Sequence, residues 1–397
     1  MNRYDLLLVL LITSLAGGLY GGALVAARFL AILFFPILIA RMLRCGYIKS
    51  FISFFIIFYA YCLVSMLWTP DRVQGAKELV YWIVHFVYLC EILVFAGYAN
   101  KPLKSISWGW TLMIFLCSVV AGWELLTNGH LPMAVDMPDT QKMAAVTFGN
   151  RNSYITALCF SLPWIAYLLF RMTENSFIEK SILYFAVLMS IMVLVFNSSR
   201  GGLLSFCVMA GVGVIVYRHS FMKNGFKTLV ALCFVVAGCA LLKYSSLLSV
   251  ASMSARGGML HDTARISIWA TCLQLLYESA FLGVGVGGMI ASLQAYYLIS
   301  GNEGVASAHN MFVEILMQYG VVWFVLAVLW LIVLFVKSWN LGERDRRAVL
   351  LMSLFAMPVY TIIDSGYLLS PQLFALMGSI YVFVNADKMK VVGDYEQ

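Results

Sequence analysis

Three side chains in this sequence have the types and settings suited to chemistry on a phosphate-bearing substrate at a membrane surface: Arg200, Arg265 and His309. His309 lies in Ser307-Ala-His-Asn310, directly before the apolar run that opens Met311-Phe-Val-Glu314. An imidazole there can stay neutral near pH 7 and accept a proton as a general base, and nearby arginines lower its pKa further and favour that form. Arg200 stands in Asn197-Ser-Ser-Arg-Gly-Gly202, and Arg265 closes Asp262-Thr-Ala-Arg. A guanidinium presents a planar fork of donors that suits phosphate, and two of them suit a pyrophosphate. Gly201 and Gly202 let backbone approach a ligand closely, and the start of the following helix favours an anion. Plainer readings exist for each: Arg200 can snorkel to the interface, Asp262 can cap a helix, and Arg265 can face water. Competing bases are His130, His261 and Asp364, none in equal company.

Other groups could complete a site. Asn150, Arg151 and Asn152 are polar and precede an apolar run; they suit sugar hydroxyls or phosphate, or a helix cap at Asn152 or Ser153. Asn310 and Glu314 flank His309, and Glu314 can orient it or its loop. Gly283-Val-Gly285-Val-Gly287-Gly288 satisfies a GxGxxG pattern, but no strand-helix-strand context surrounds it, which excludes a dinucleotide site. It reads either as a flexible turn between two loop helices or as a nest of amides for an anion, through Gly285 and Gly287. Glu91, His85, Arg28, Glu314 and Asp364 fall within or at the ends of apolar runs, where an ionisable group must face protein or a water-filled cavity. The nearest approaches to a metal site, Asp136-Met-Pro-Asp139 and His261-Asp262, lack the ligand spacing, so neither metal nor cofactor is expected. No phosphate-binding Gly-Lys-Thr loop is present, which argues against an ATP-driven pump.

The elements that must position these residues are apolar helices. Of 397 residues, 62% are hydrophobic and 11% charged, and the mean hydropathy is +0.89, far from a soluble domain. The expected fold is all-α and polytopic. Apolar runs over 6–20, 22–41, 50–67, 77–97, 105–126, 152–170, 181–197, 202–217, 228–243, 311–336, 348–363 and 371–387 give about twelve transmembrane helices of roughly 20 residues. They form one integral membrane domain over residues 1–397, with a large extracytoplasmic loop at 244–310 between spans nine and ten. The N-terminal apolar run lacks a small-residue cleavage site and reads as a retained span. Gly17-Gly18 and Gly21-Gly22 leave the first two spans open to either a tight turn or a broken helix.

With the N-terminus cytoplasmic, inner loops receive 17 Lys and Arg and outer loops 8, in keeping with the positive-inside rule. Both termini are then cytoplasmic, and the polar motifs share the extracytoplasmic face. The net charge of +7 is thereby explained by orientation, and no nucleic acid partner is expected. Nine cysteines, an odd number set mostly in apolar runs, indicate no disulfide framework.

Taken in order, Gly149-Asn-Arg-Asn152, Ser199-Arg-Gly-Gly202, Arg265 with Trp269, Gly283-Val-Gly-Val-Gly287, His309-Asn310 and Gly320 resemble the bacterial O-antigen ligase and O-antigen polymerase superfamily of membrane glycosyltransferases. The resemblance implies a bacterial inner-membrane enzyme that uses an undecaprenyl-diphosphate-linked glycan donor and a glycan or lipid A-core acceptor, at the periplasmic or exterior face. Membrane lipid is a further partner, and a chain-length regulator or flippase is a candidate protein partner. By this resemblance Arg200 and Arg265 attend the diphosphate and His309 activates the acceptor hydroxyl. At Trp323 the chain departs from ligases, where a small residue or Tyr is more usual, which tilts the reading to a polymerase of O-antigen, capsule or exopolysaccharide. An O-antigen ligase is the alternative. A lipid-linked oligosaccharide transporter suits the spans equally, but its site would lie near the midplane between broken helices.

Overall fold

The structure is a computed structural model and describes residues 2–18, 26–42, 45–134, 143–171, 176–220, 251–300, 308–363 and 366–389. Within them lie thirteen α-helices: α1 (Arg3–Thr13), α2 (Ala26–Met42), α3 (Ile48–Ser65), α4 (Arg72–Tyr98), α5 (Pro102–Thr127), α6 (Arg151–Phe170), α7 (Phe177–Phe196), α8 (Arg200–Ser220), α9 (Ala251–Glu278), α10 (Gly288–Ser300), α11 (Met311–Trp339), α12 (Arg344–Tyr360) and α13 (Pro371–Met389). No strand occurs among the described residues. Six of these helices, α4 to α8 and α11, are long and apolar enough to cross a membrane, and Phe51–Ser65 is a shorter apolar helix.

Length and apolarity made most boundaries legible, because a lipid-facing helix must satisfy all its backbone groups within itself. The expected span at 6–20 differs. A capping box at Asn2 and Asp5 starts α1 at Arg3, and Gly18, at φ 77°, ends the following 3₁₀ turn, so α1 has only 11 residues. That is about 16 Å of helix, short of a bilayer core. The run at 228–243 lies outside the described residues. Within the expected loop at 244–310, α9 and α10 stand on either side of the glycine-rich turn, as the two expected loop helices would.

Small residues and buried polar bonds fix the helix crossings. Gly109 of α5 lies under Ile12 and Val9 of α1, and Gly378 of α13 lies against Ile92 and Leu89 of α4. Such glycines let helices approach closely where lipid removes the hydrophobic drive for association. Trp110 Nε1 of α5 donates to Ser379 Oγ of α13 at 3.0 Å. α6 is buried over most of its length.

The bundle has two chemically distinct ends. At one, Arg171 pairs with Glu343 and with Asp345, and Tyr217 also bonds Asp345. Beside them the buried Arg346 reaches both carboxylate oxygens of Asp387 at 2.9 Å and the Phe383 carbonyl at 2.8 and 3.0 Å. Arg346→Ala therefore removes the buried guanidinium's bonds to Asp387 and to the Phe383 carbonyl, at a cost of ~1–3 kcal/mol. The expected result is a lower melting temperature in detergent, while Lys388→Ala, at an exposed position, leaves it unchanged.

Candidate active site

At the opposite end the polar motifs gather around the short segment that follows α12. Met311 N, at the start of α11, donates to Thr361 O at 3.1 Å. Arg265 Nη1 of α9 donates to Ile362 O at 2.9 Å. Ile363 packs on α8, where a Cβ on Gly201 would fall 2.9 Å from Ile363 Cγ1. Glu314 Oε1, buried one turn into α11, accepts from Gly366 N at 3.0 Å. Three helices separated widely in sequence thus bring Gly201, Arg265 and the start of α11, next to Arg200 and His309 in the chain, against residues 361–363 and Gly366.

His309 is held tightly in this setting. Asn310 caps α11, its Oδ1 accepting from Phe312 N at 3.0 Å and Val313 N at 3.4 Å. Trp269, one turn beyond Arg265 on α9, donates Nε1 to Ala308 O at 2.8 Å. Between these two anchors His309 takes φ 48°, a left-handed conformation that is uncommon for a residue with a Cβ and concentrates at functional sites. Its Nδ1 is buried and has no hydrogen-bond partner among the described residues. Burial first, and the Arg265 guanidinium second, hold its pKa below the usual 6.5. The imidazole is therefore neutral at physiological pH and able to accept a proton.

Arg200 heads α8 with an exposed side chain. Ser199 caps this helix, its Oγ accepting from Gly202 N at 3.1 Å. Gly202 is closely enclosed: a Cβ there would fall 2.6 Å from Leu194 Cδ2 and 2.8 Å from Ile155 Cγ2. The two glycines thus seat α8 against its neighbours.

Asn150 is the cap of α6, its Oδ1 accepting from Ser153 N at 2.9 Å, two residues before the expected cap. Arg151 Nη1 lies 3.0 Å from Met143 Sδ, and Asn152 is half-buried in the first turn. This motif is joined to the next, because Asn197 grips Ala144 by both its N–H (2.7 Å) and its carbonyl (2.8 Å), three residues before Arg200. On the other side of the same loop, the buried Glu124 accepts from Ala145 N and Val146 N, both at 2.9 Å, and lies 3.4 Å from His130 Nδ1. His130 is thereby committed to the Glu124 neighbourhood. The side chains of His261 and Asp262, and all of Asp136, Asp139 and Asp364, lie outside the described residues.

The glycine-rich turn between α9 and α10 is neither flexible nor open to an anion. Its amides all have protein acceptors: Gly283 on Ser279 Oγ, Val284 on Met317 O, Gly285 on Gln318 O, Val286 on Ser65 Oγ, Gly287 on Glu78 Oε2 and Gly288 on Gly285 O, at 2.9–3.1 Å. α11 is interrupted at Gly320 (φ 80°, ψ 179°), and the turn sits in that break. Val321 N donates to Phe281 O at 3.1 Å, so the turn satisfies both donors and acceptors that the broken helix leaves over. Glu78, a carboxyl inside an apolar run, is the acceptor that this nest meets. The cost of burying an ionisable group is the signal by which Glu78 and Glu124 can be picked out from sequence.

A polytopic helical membrane protein with its polar motifs collected at one end of the bundle is the class that this fold and site define. Residues 185–328 match the family model described as O-Antigen ligase, a range that includes Arg200, Arg265, the glycine turn, His309 and Gly320. The chain is also similar to the teichuronic acid biosynthesis protein TuaE of Bacillus subtilis (strain 168), 24% identical over 289 residues that cover 69% of this chain and 57% of that protein. The chain thus matches little more than half the length of this relative. Both matches bear out the resemblance to the O-antigen ligase and polymerase superfamily drawn from the motifs.

A Cβ on Gly287 would run into Gly75 N, and the residue's φ of 70° strains any side chain as well. Gly287→Ala is expected to cost at least ~2 kcal/mol and to lower the yield of monodisperse protein. Gly342→Ala, where nothing lies within 4 Å, leaves the yield unchanged in the same size-exclusion assay.

Proposed function

We propose that this chain catalyses inverting glycosyl transfer from an undecaprenyl-diphosphate-linked glycan to a hydroxyl acceptor, at the extracytoplasmic face of a bacterial membrane with both termini cytoplasmic. The observation that carries the reading is the convergence of Arg265 and of the segments that carry Arg200 and the strained His309 on residues 361–363, through Gly201, Arg265 and Met311. An apolar cavity of about 470 Å³ adds support: it begins at Met311 and Phe312, the residues beside the site, and suits a polyprenyl tail. In the proposed step His309 takes the acceptor proton as the hydroxyl oxygen bonds to the anomeric carbon. The bond from that carbon to the diphosphate breaks, and its electron pair leaves with the diphosphate. Arg200 and Arg265 stabilise the charge that gathers there. Attack from the face opposite the leaving group inverts the anomeric centre. Asn150, Arg151, Asn152 and Asn310 remain candidate contacts to the glycan, while Glu314, Gly201, Gly202, Gly285 and Gly287 act by holding the helices in place.

The acceptor distinguishes two readings. A polymerase, lengthening an O-antigen, capsule or exopolysaccharide, is favoured by Trp323, which packs among Phe54, Phe58 and Tyr61 in the cavity wall. A ligase is favoured by the description of the matching family model. A glycan ladder from a strain lacking the protein separates them. Loss of long chains with single repeats retained on lipid A identifies a polymerase, and loss of all lipid A-linked glycan identifies a ligase. His309→Ala, at matched membrane levels, is expected to fail to restore the ladder, and full restoration by that variant would remove the proposed base.

Arg200→Ala and Arg265→Ala are each expected to lower the rate ~10²-fold or more with normal membrane insertion. Retained activity in either variant would remove that arginine from the mechanism. The pH profile carries a separate signature. The base must be deprotonated, so activity holds above the lowered pKa of His309 and falls as pH drops through it, on the acid side of 6.5. Because Arg265 contributes to that lowering, the residual activity of Arg265→Gln should lose its acid limb at a higher pH than wild type.

A further inference from the structure

The cavity beside the site has a polar anchor in its wall that leads back to the site by a second route. Its apolar lining comes from α3, α4, α11 and α13, and on α11 it runs from Met311 to Leu331. That lining continues on both sides of the break at Gly320. Two wall residues, Trp82 and Tyr319, are tied together by a bond of 2.9 Å from Trp82 Nε1 to Tyr319 OH. Gln318 Nε2 donates to the same hydroxyl at 2.9 Å and also to Glu78 Oε2. Glu78 Oε2 in turn accepts from Gly287 N, and Gln318 O accepts from Gly285 N. An unbroken run of hydrogen bonds therefore leads from the cavity wall to the glycine turn. That turn closes α9, which carries Arg265 onto Ile362 O and Trp269 onto Ala308 O beside His309.

We propose that Trp82 and Tyr319 determine specificity for a long polyprenyl tail, and that their contact with it is transmitted through Gln318 and Glu78 to the glycine turn and thence to Arg265 and His309. The proposal rests on the lipid-linked donor inferred above. Tyr319 OH, Gln318 and Glu78 are each shared between two neighbours, and a buried polar group that loses its partner is costly, so the rings and the turn must move together or hold together. A tail packed on the two rings restricts their rotation and so stabilises the turn. Tyr319 lies eight residues beyond Met311, about 12 Å along the helix. A one-isoprene chain is too short to reach it from the site, whereas an undecaprenyl chain passes it. The diphosphate and the tail are thus recognised by separate parts of one connected structure.

The test uses the full chain in phospholipid nanodiscs, with undecaprenyl diphosphate and dimethylallyl diphosphate as probes. Amide exchange is followed by mass spectrometry in the peptide covering residues 281–288, and probe binding is followed by displacement of radiolabelled undecaprenyl diphosphate. In wild type, undecaprenyl diphosphate should slow exchange about 5-fold or more, and dimethylallyl diphosphate should not. Tyr319→Phe keeps the ring but removes the shared hydroxyl; it should retain binding and lose the lipid-induced slowing. Glu78→Gln serves as the second variant if Tyr319→Phe does not fold. A purely structural role would alter exchange equally with and without lipid. Equal slowing by the short probe, or unchanged lipid-induced slowing in either folded variant, would overturn the proposal while leaving the donor reading intact. Failure of undecaprenyl diphosphate to bind wild type at all would overturn both.

Discussion

A helix broken inside a membrane bundle must find partners elsewhere for the backbone groups it orphans, because hydrocarbon offers none and each unpaired group costs several kcal/mol. α11 is broken at Gly320, and the turn at 281–287 meets that demand with three backbone bonds. The fit is close on both sides. A Cβ on Gly320 would fall 2.5 Å from Leu282 O and Phe281 O, and one on Gly283 would fall 2.6 Å from Gly320 N. Glycine is required at both positions for backbone to meet backbone, and both carry positive φ. The turn is further gripped from α3 and from the connection between α3 and α4, through Tyr61 on Leu282 O, Trp68 on Gly283 O and Thr69 on Val286 O.

Much of the candidate site depends on that junction. With the turn in place, α9 lies along α11 closely enough for Trp269 to reach Ala308 O, and Arg265 reaches Ile362 O one turn earlier. The segment after α12 then receives contacts from α8, α9 and α11, and Glu314 locks its far side through Gly366. Each of these is a long-range contact, so none of the three candidate catalytic residues is positioned by its own helix alone. The conformation of His309, left-handed without being glycine, is the local cost of joining the Ala308 anchor to the Asn310 cap.

This division explains what could be read from the sequence. The helices expected at 152–170 and 371–387 were legible because length and apolarity are local properties, and α6 and α13 match their bounds closely, α6 being also long and apolar enough to cross a membrane. Arg200 and His309 stand out for a related reason, as charged or basic groups at the edges of apolar runs, and Arg265 by the company it keeps with Trp269 in the large loop. The role of Gly283–Gly288 was not legible, because a turn that plugs a distant helix break has the same local composition as a flexible one. Asn150 shows the same limit on a smaller scale: Asn150, Asn152 and Ser153 are all acceptable caps, and only the folded chain selects one. The segment 361–366 carries no motif at all, and its importance comes from backbone carbonyls and one amide that any sequence possesses.

The glycines also bear on which groups can meet an anion. Glycine-rich segments commonly bind phosphate through backbone amides, and two such segments lie near this site. In the turn, all six amides from Gly283 to Gly288 are committed to protein acceptors, one of them the Glu78 carboxyl. At the start of α8, Ser199 takes Gly202 N, and the two glycines are enclosed by Ile363, Leu194 and Ile155. Binding of a diphosphate here must therefore draw chiefly on side chains, and guanidinium groups are the side chains whose charge persists at any physiological pH. His309, buried beside one of these charges, is kept neutral first by burial and second by Arg265. The electrostatic arrangement that would hold the leaving group thus also helps keep the base ready to accept a proton.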